Sequence, residues 1–175
     1  MKLRFLLLSA LLGGLLSVGW GFVTHGLGIP PSITPKSFTD STAVAQAVQA
    51  NAPEHGVYFD GRGLFAAVSL HSDLRPHHPS MLYPVVHQLV IEVLVAFLLA
   101  WALLRLPLWT AWGTASIFAT FGLAAGASVL LSQANWFGFA LQFQLAELAA
   151  FVTGWFLLGL VLGALRKNLM VGGER

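Results

Sequence analysis

Glu92 and Glu147 are the side chains with the most chemical potential in this sequence, because each sits in a stretch otherwise apolar enough to cross a bilayer. A charged residue at the centre of a membrane helix costs roughly 2.5–3.5 kcal/mol on an insertion scale, so an intramembrane carboxylate is a functional candidate by default. Each carboxylate also has an amide beside it. Gln88 and Glu92 are four residues apart and Gln144 and Glu147 three, spacings that put side chains on one helix face. Those faces continue as Ala96 and Ala100 in one helix, and as Ala150 and Gly154 in the other. Small residues below a polar pair are the pattern of a stripe facing other helices.

Together with His87, these four residues define an expected polar cluster: His87, Gln88, Glu92, Gln144 and Glu147. One reading is a proton or cation relay, in which two touching carboxylates share a proton. The other is structural glue, a carboxyl group hydrogen-bonded to an amide across helices and worth about 0.6–2 kcal/mol. No Lys or Arg lies at mid-membrane depth to form a fixed ion pair, and the balance favours glue. Depth counts along the helices leave two partners open for Glu147, namely Glu92 and His87.

Histidine is the other unusual population. All six fall in or beside one long loop: His25, His55, His71, His77, His78 and His87. Imidazole suits zinc and copper, which makes His71, His77 and His78 the candidates for a metal site. They match no HxxxH or HExxH spacing, and adjacent residues of an extended chain point opposite ways, so ordinary loop histidines are the stronger reading. Haem held by His25 and His87 is a weaker alternative still, and no cofactor is expected. Nucleophile-elbow, phosphate-loop and dinucleotide fingerprints are all missing. Cysteine is absent, which excludes disulfides, thiolate ligands and Cys nucleophiles.

The elements that must position these groups follow from composition. The chain is 57% hydrophobic and 9% charged, against roughly 25% charged in soluble domains, so most of its surface must face lipid. Its net charge of +2 comes from few groups with no basic run, which gives no signal for nucleic acid. Four segments reach the roughly 20 apolar residues that a membrane span requires. They are expected at 5–24, 84–104, 108–131 and 136–165, with breaks at Arg105–Pro107 and at Ser132–Asn135, where Asn135 could cap the fourth helix.

The first span follows a basic start, MKLR, as a signal peptide would, but no A-x-A cleavage site follows it, and an uncleaved anchor is expected. Lys2, Arg4, Arg105, Arg166, Lys167 and Arg175 fall on one side of the spans, and Lys36, Arg62 and Arg75 on the other. That bias puts both termini in the cytoplasm. Trp20 and Trp136 then mark the outer interface, and Trp101, Trp109 and Trp112 the inner one.

Residues 25–83 form the expected outer insert. Within it Ser41–Ala50 reads as a short amphipathic helix capped by Asp40 or Ser41, and HGVYFD and GLFAAVSLH flank a hairpin turn at Gly61 and Arg62. Residues 166–175 are the expected cytoplasmic tail. Small residues four apart in the first span, Ser9, Gly13, Ser17 and Gly21, favour close helix approach, as do Gly122 and Gly126 in the third and Gly159 and Gly163 in the fourth.

The expected fold is therefore an all-α integral membrane protein. It has a four-helix transmembrane bundle and a small extracytoplasmic α+β insert between the first two helices. The expected function is that of a non-enzymatic bacterial inner-membrane protein, a structural or accessory subunit. Its expected partners are the lipid bilayer and a second copy or another membrane subunit. Transport of protons, cations or a small polar solute through Glu92 and Glu147 is one alternative, and an outer-face metal-handling role is the other.

Overall fold

The computed structural model describes residues 1–33, 36–54, 56–68, 82–107 and 110–170. Their contacts divide into two units, one formed by Met1–Thr34 with Tyr83–Arg175 and the other by Pro35–Leu82.

The first unit is helical. Helix α1 spans Lys2–Gly21 and runs on through a wider π turn at Phe22–Gly26. A long helix at Leu82–Leu103 opens the return half of the unit. The chain then turns and re-enters a helix at Ala111–Gly126, whose N-terminus is capped by the Thr110 hydroxyl accepting from the Gly113 N–H at 3.0 Å. A second π turn at Ala127–Leu131 and a short helix at Ser132–Phe137 prolong this rod, and a final helix covers Leu141–Met170.

In the second unit a helix covers Ser41–Asn51, and two strands, β1 (Gly56–Phe59) and β2 (Phe65–Val68), follow it. In chain order the helices are α2 (Ser41–Asn51), α3 (Leu82–Leu103), α4 (Ala111–Gly126), α5 (Ser132–Phe137) and α6 (Leu141–Met170).

Four of these helical stretches are long and apolar enough to cross a membrane: Lys2–Gly26, Leu82–Leu103, Ala111–Phe137 and Leu141–Met170. Leu7, Leu11 and Leu15 on α1 and Val90, Leu94 and Leu98 on α3 are all about half exposed or more. A contiguous apolar surface of that kind is unstable in water, and the architecture is compatible with a multi-pass membrane protein.

One expected break moves. Ser132–Asn135 is helical, as part of α5, and the rod ends at Gly138, whose φ of 69° is left-handed. A glycine at that position ends a helix without the Cβ clash other residues would suffer. The polar run SQAN is therefore not an interruption, and Asn135 does not cap the fourth span; the third rod is longer and the fourth span starts later, at Leu141. The Arg105–Pro107 break stands where the sequence puts it, with α3 ending at Leu103.

Close glycine contacts fix the packing. A Cβ on Gly159 would lie 2.6 Å from the Ala115 Cα, and one on Gly163 2.7 Å from the Ala111 Cα, so α4 and α6 meet backbone to backbone. Gly122 seats Trp155, and Gly126 seats Leu148 and Phe151 along the same seam. On α1, Gly13 faces Ala96, Leu158 and Leu162, and Gly14 lies against the Val93 backbone. Lipid offers no hydrophobic drive between helices, so contacts this close supply the van der Waals attraction that holds them.

These pairings also fix direction: α1 and α4 run antiparallel to α6, and α1 runs antiparallel to α3. The core gathers where all four meet, with Phe5 of α1, Ala96, Ala100 and Leu103 of α3, Phe118 of α4, and Leu158 and Leu162 of α6.

The second unit matches its sequence signals closely. The Asp40 carboxylate accepts from the Ala43 N–H at 2.9 Å and caps α2. Strands β1 and β2 pair antiparallel with Phe59 opposite Phe65 and Gly56 opposite Val68. Between them the Asp60 carboxylate accepts from the Arg62 N–H at 2.7 Å and the Leu64 N–H at 3.0 Å, while Gly61 and Gly63 take the positive φ angles the loop requires.

Candidate functional site

The carboxylates and glutamines described in the helical unit lie toward the end where α1 finishes and α6 begins. The π turn at Phe22–Gly26 builds its first half. Its wider spacing shows in the Leu27 N–H, which donates to the Phe22 carbonyl five residues back. In the same turn the Thr24 hydroxyl lies 3.1 Å from the Trp20 carbonyl and 3.2 Å from that of Gly21, so the side chain satisfies backbone acceptors there. Thr24 is buried, and its hydroxyl also stands 2.8 Å from the His25 Nδ1.

His25 completes the link to α6. Its Nε2 lies 3.1 Å from the Glu147 Oε1 and 3.2 Å from Oε2, a two-oxygen contact. One turn before Thr24, the Trp20 indole N–H donates to the Ala150 carbonyl at 2.8 Å. The ring fills the space left by Gly154, where a Cβ would come within 2.8 Å of it. Trp20 and His25 therefore grip successive turns of α6.

Protons are limited in this arrangement. Thr24 has one hydroxyl proton and three acceptors in reach. When that proton goes to His25 Nδ1, a neutral imidazole donates Nε2–H to the Glu147 carboxylate. When it goes to a backbone carbonyl instead, Nδ1–H donates to the threonine oxygen. In either arrangement the His25 ring bridges Thr24 and Glu147. Below it the packing is apolar, through Gly13, Ala96, Leu158 and Leu162.

The partner of Glu147 is thus neither of the two read from sequence. Glu92 accepts instead from the Gln88 amide at 2.8 Å, four residues back on α3. His87 is exposed and its ring lies 4.1 Å from that of Tyr83. Gln144 is buried, and its amide donates to Gln133 of α5 at 3.3 Å, while its own Oε1 has no partner. The expected single cluster is three local arrangements: Gln88–Glu92, Gln133–Gln144 and His25–Glu147.

The small-residue stripe of α1 is divided in the same way. Ser9 and Gly13 are buried, but nothing from a neighbouring element packs within 4 Å of where a Cβ on Gly21 would sit. Gln88 is exposed and Glu92 half-buried on the neighbouring helix. Toward this end α1 and α3 leave small and polar surface uncovered.

Sequence reading missed Trp20, Thr24 and Gln133 as partners and weighed His25 only as a haem ligand. One signal was available: continuing the four-residue stripe from Ser9 through Gly21 arrives at His25. The metal candidates His71, His77 and His78 lie outside the described residues. Among the described residues no group of three metal-ligating side chains comes together. Comparison with known protein families, with curated proteins and with solved structures finds no match to this chain.

Proposed function

We propose that this chain is a non-enzymatic accessory subunit of a membrane complex, which offers the open surface between α1 and α3 to a helix of a second copy or of another subunit. The observation behind this reading is the uncovered end of the small-residue stripe, at Gly21, together with the Gln88–Glu92 pair, in which Gln88 is exposed and Glu92 half-buried. An amide and a carboxylate within an apolar span gain most from a partner that removes them from lipid. The bias of Lys and Arg supports a reading with both termini in the cytoplasm, and the same proposal takes the membrane to be a bacterial inner membrane.

Photo-crosslinking in cells tests the reading. A benzophenone side chain placed at Gly21 or at Val85, which shares the Gln88 face, is expected to yield a defined adduct, while one at Leu123, on an exposed face of α4, yields none. A solitary monomer with no adduct from either position removes the support.

Transport through Glu92 and Glu147 is the second reading. The two carboxylates occupy separate hydrogen-bonded pairs, and the apolar packing beneath the His25–Glu147 pair favours the accessory role. Flux in proteoliposomes that survives both Glu92→Gln and Glu147→Gln excludes transport by this route. The metal-handling alternative depends on loop histidines that the structure does not describe.

A further inference from the structure

The sequence has no basic run, yet the fold assembles one. The antiparallel pairings bring the start of α1, the α3–α4 connection and the end of α6 to the same end of the helical unit. That end carries Lys2, Arg4, Arg105 and Lys167, all exposed, with Arg166 buried among them. Arg166 is already committed, donating to the carbonyls of Leu106 at 2.8 Å and Pro107 at 3.2 Å.

The carboxylates described in this unit, Glu92 and Glu147, lie toward the other end. Glu92 is thirteen residues from Arg105, about 20 Å along a helix, and Glu147 nineteen from Arg166, about 28 Å. Among the described residues of the unit the exposed cations therefore have no acidic partner, and the ligand that suits them is an anion.

Two observations choose the kind of anion. Trp101 is half exposed and lies beneath Arg105, whose guanidinium carbon is 3.4 Å from the ring centroid, and Trp112 is exposed at the start of α4. Tryptophans at a helix end sit at headgroup level. Beside Arg4 a shallow, open groove runs along the first two turns of α1, lined by Met1, Leu3, Leu7 and Leu8. A cation at the rim of an apolar groove suits a molecule with a phosphate at one end and a hydrocarbon chain behind it.

We infer that this basic end binds anionic phospholipid, with Lys2, Arg4, Arg105 and Lys167 holding the headgroup phosphate and the α1 groove taking part of an acyl chain. Basic groups next to a membrane gain about fivefold in binding per charge.

Native mass spectrometry of the full chain in neutral detergent, at low salt, tests this with three additives: phosphatidylglycerol, phosphatidylcholine and inorganic phosphate. Phosphatidylglycerol is expected to bind at least about fivefold more tightly than phosphatidylcholine. K2Q/R4Q and R105Q are each expected to reduce that preference. Raising salt from about 50 to about 500 mM should erase it in the unmodified chain, a test that does not depend on any variant folding. Equal binding of the two lipids, or a preference unchanged in both variants, overturns the inference. Inorganic phosphate that displaces phosphatidylglycerol at equal concentration overturns the lipid assignment and leaves a free-phosphate site.

Discussion

His25 and Glu147 are 122 residues apart in sequence and meet at 3.1 Å, tying the end of α1 to the second turn of α6. The His25 side chain is 57% exposed and that of Glu147 17%, so solvent screens the contact from one side. A double-mutant cycle with His25→Ala and Glu147→Ala is expected to give a coupling energy below about 1 kcal/mol, the range of exposed ion pairs. Unfolding of the detergent-solubilised protein supplies the four free energies. A coupling of several kcal/mol would show that the pair is shielded from solvent in a way this geometry does not provide.

Trp20 should matter more than His25. Trp20→Phe keeps most of the ring against Gly154 but leaves the Ala150 carbonyl without its indole donor. The expected loss is about 0.6–2 kcal/mol, the range of interhelical hydrogen bonds in membranes. Trp20→Ala also empties the space at Gly154, and a further loss of about 1 kcal/mol or more should appear in the same unfolding assay. If Trp20→Phe is neutral, the grip on α6 is packing alone.

How much of this was legible from residues alone differs by level. The four apolar spans, the Asp40 cap and the hairpin were readable because each rests on local chemistry: run length, a capping side chain, glycine-bearing turn residues. The SQAN segment misled because its polar residues resemble a loop. Helix termination there was decided one turn later by Gly138, which takes the left-handed angle. The partners of the polar residues were not legible. Glu147 meets His25 in the π turn that follows α1; the four-residue repeat reaches His25 but says nothing of its partner on α6.

Glycine substitutions should split by position. Gly159→Ala places a methyl group 2.6 Å from the Ala115 Cα, and Gly163→Ala one 2.7 Å from the Ala111 Cα, so backbone must shift. Overpacking of this kind costs about 1–3 kcal/mol. Gly19→Ala meets open space on a regular helix, where alanine is favoured by up to about 1 kcal/mol. Thermal unfolding should therefore move down for the α6 variants and stay level or rise for Gly19→Ala. A uniform loss at all three positions contradicts the packing described.

The hairpin turn carries a pH signature of its own. Backbone N–H groups of Arg62 and Leu64 hold the Asp60 carboxyl below its ordinary range. A carboxyl lowered in the folded state adds stability that is fully present above the unfolded value, about 3.9, and is lost as pH falls through the lower folded value. The protection factors of the Arg62 and Leu64 amides, measured against intrinsic exchange at each pH, should be constant from neutral pH to about 5 and fall only at more acidic pH. In Asp60→Asn that acid step should disappear, and its persistence would assign the transition to another group.

Arg166 offers the sharpest contrast between neighbouring cations. The residue is 6% exposed, and its guanidinium spans two adjacent carbonyls, Leu106 and Pro107, in the connection between α3 and α4. Lysine has no fork to reach both, so Arg166→Lys should leave at least one carbonyl unsatisfied at a cost of about 1–3 kcal/mol. Arg166→Met removes both donors and should cost at least as much. Lys167, one residue on, is exposed, and Lys167→Met should stay within about 0.5 kcal/mol when no anionic lipid is present. Unfolding midpoints report the difference, and protease cleavage near Arg105 should rise in the Arg166 variants alone, because freeing the two carbonyls loosens the connection they anchor.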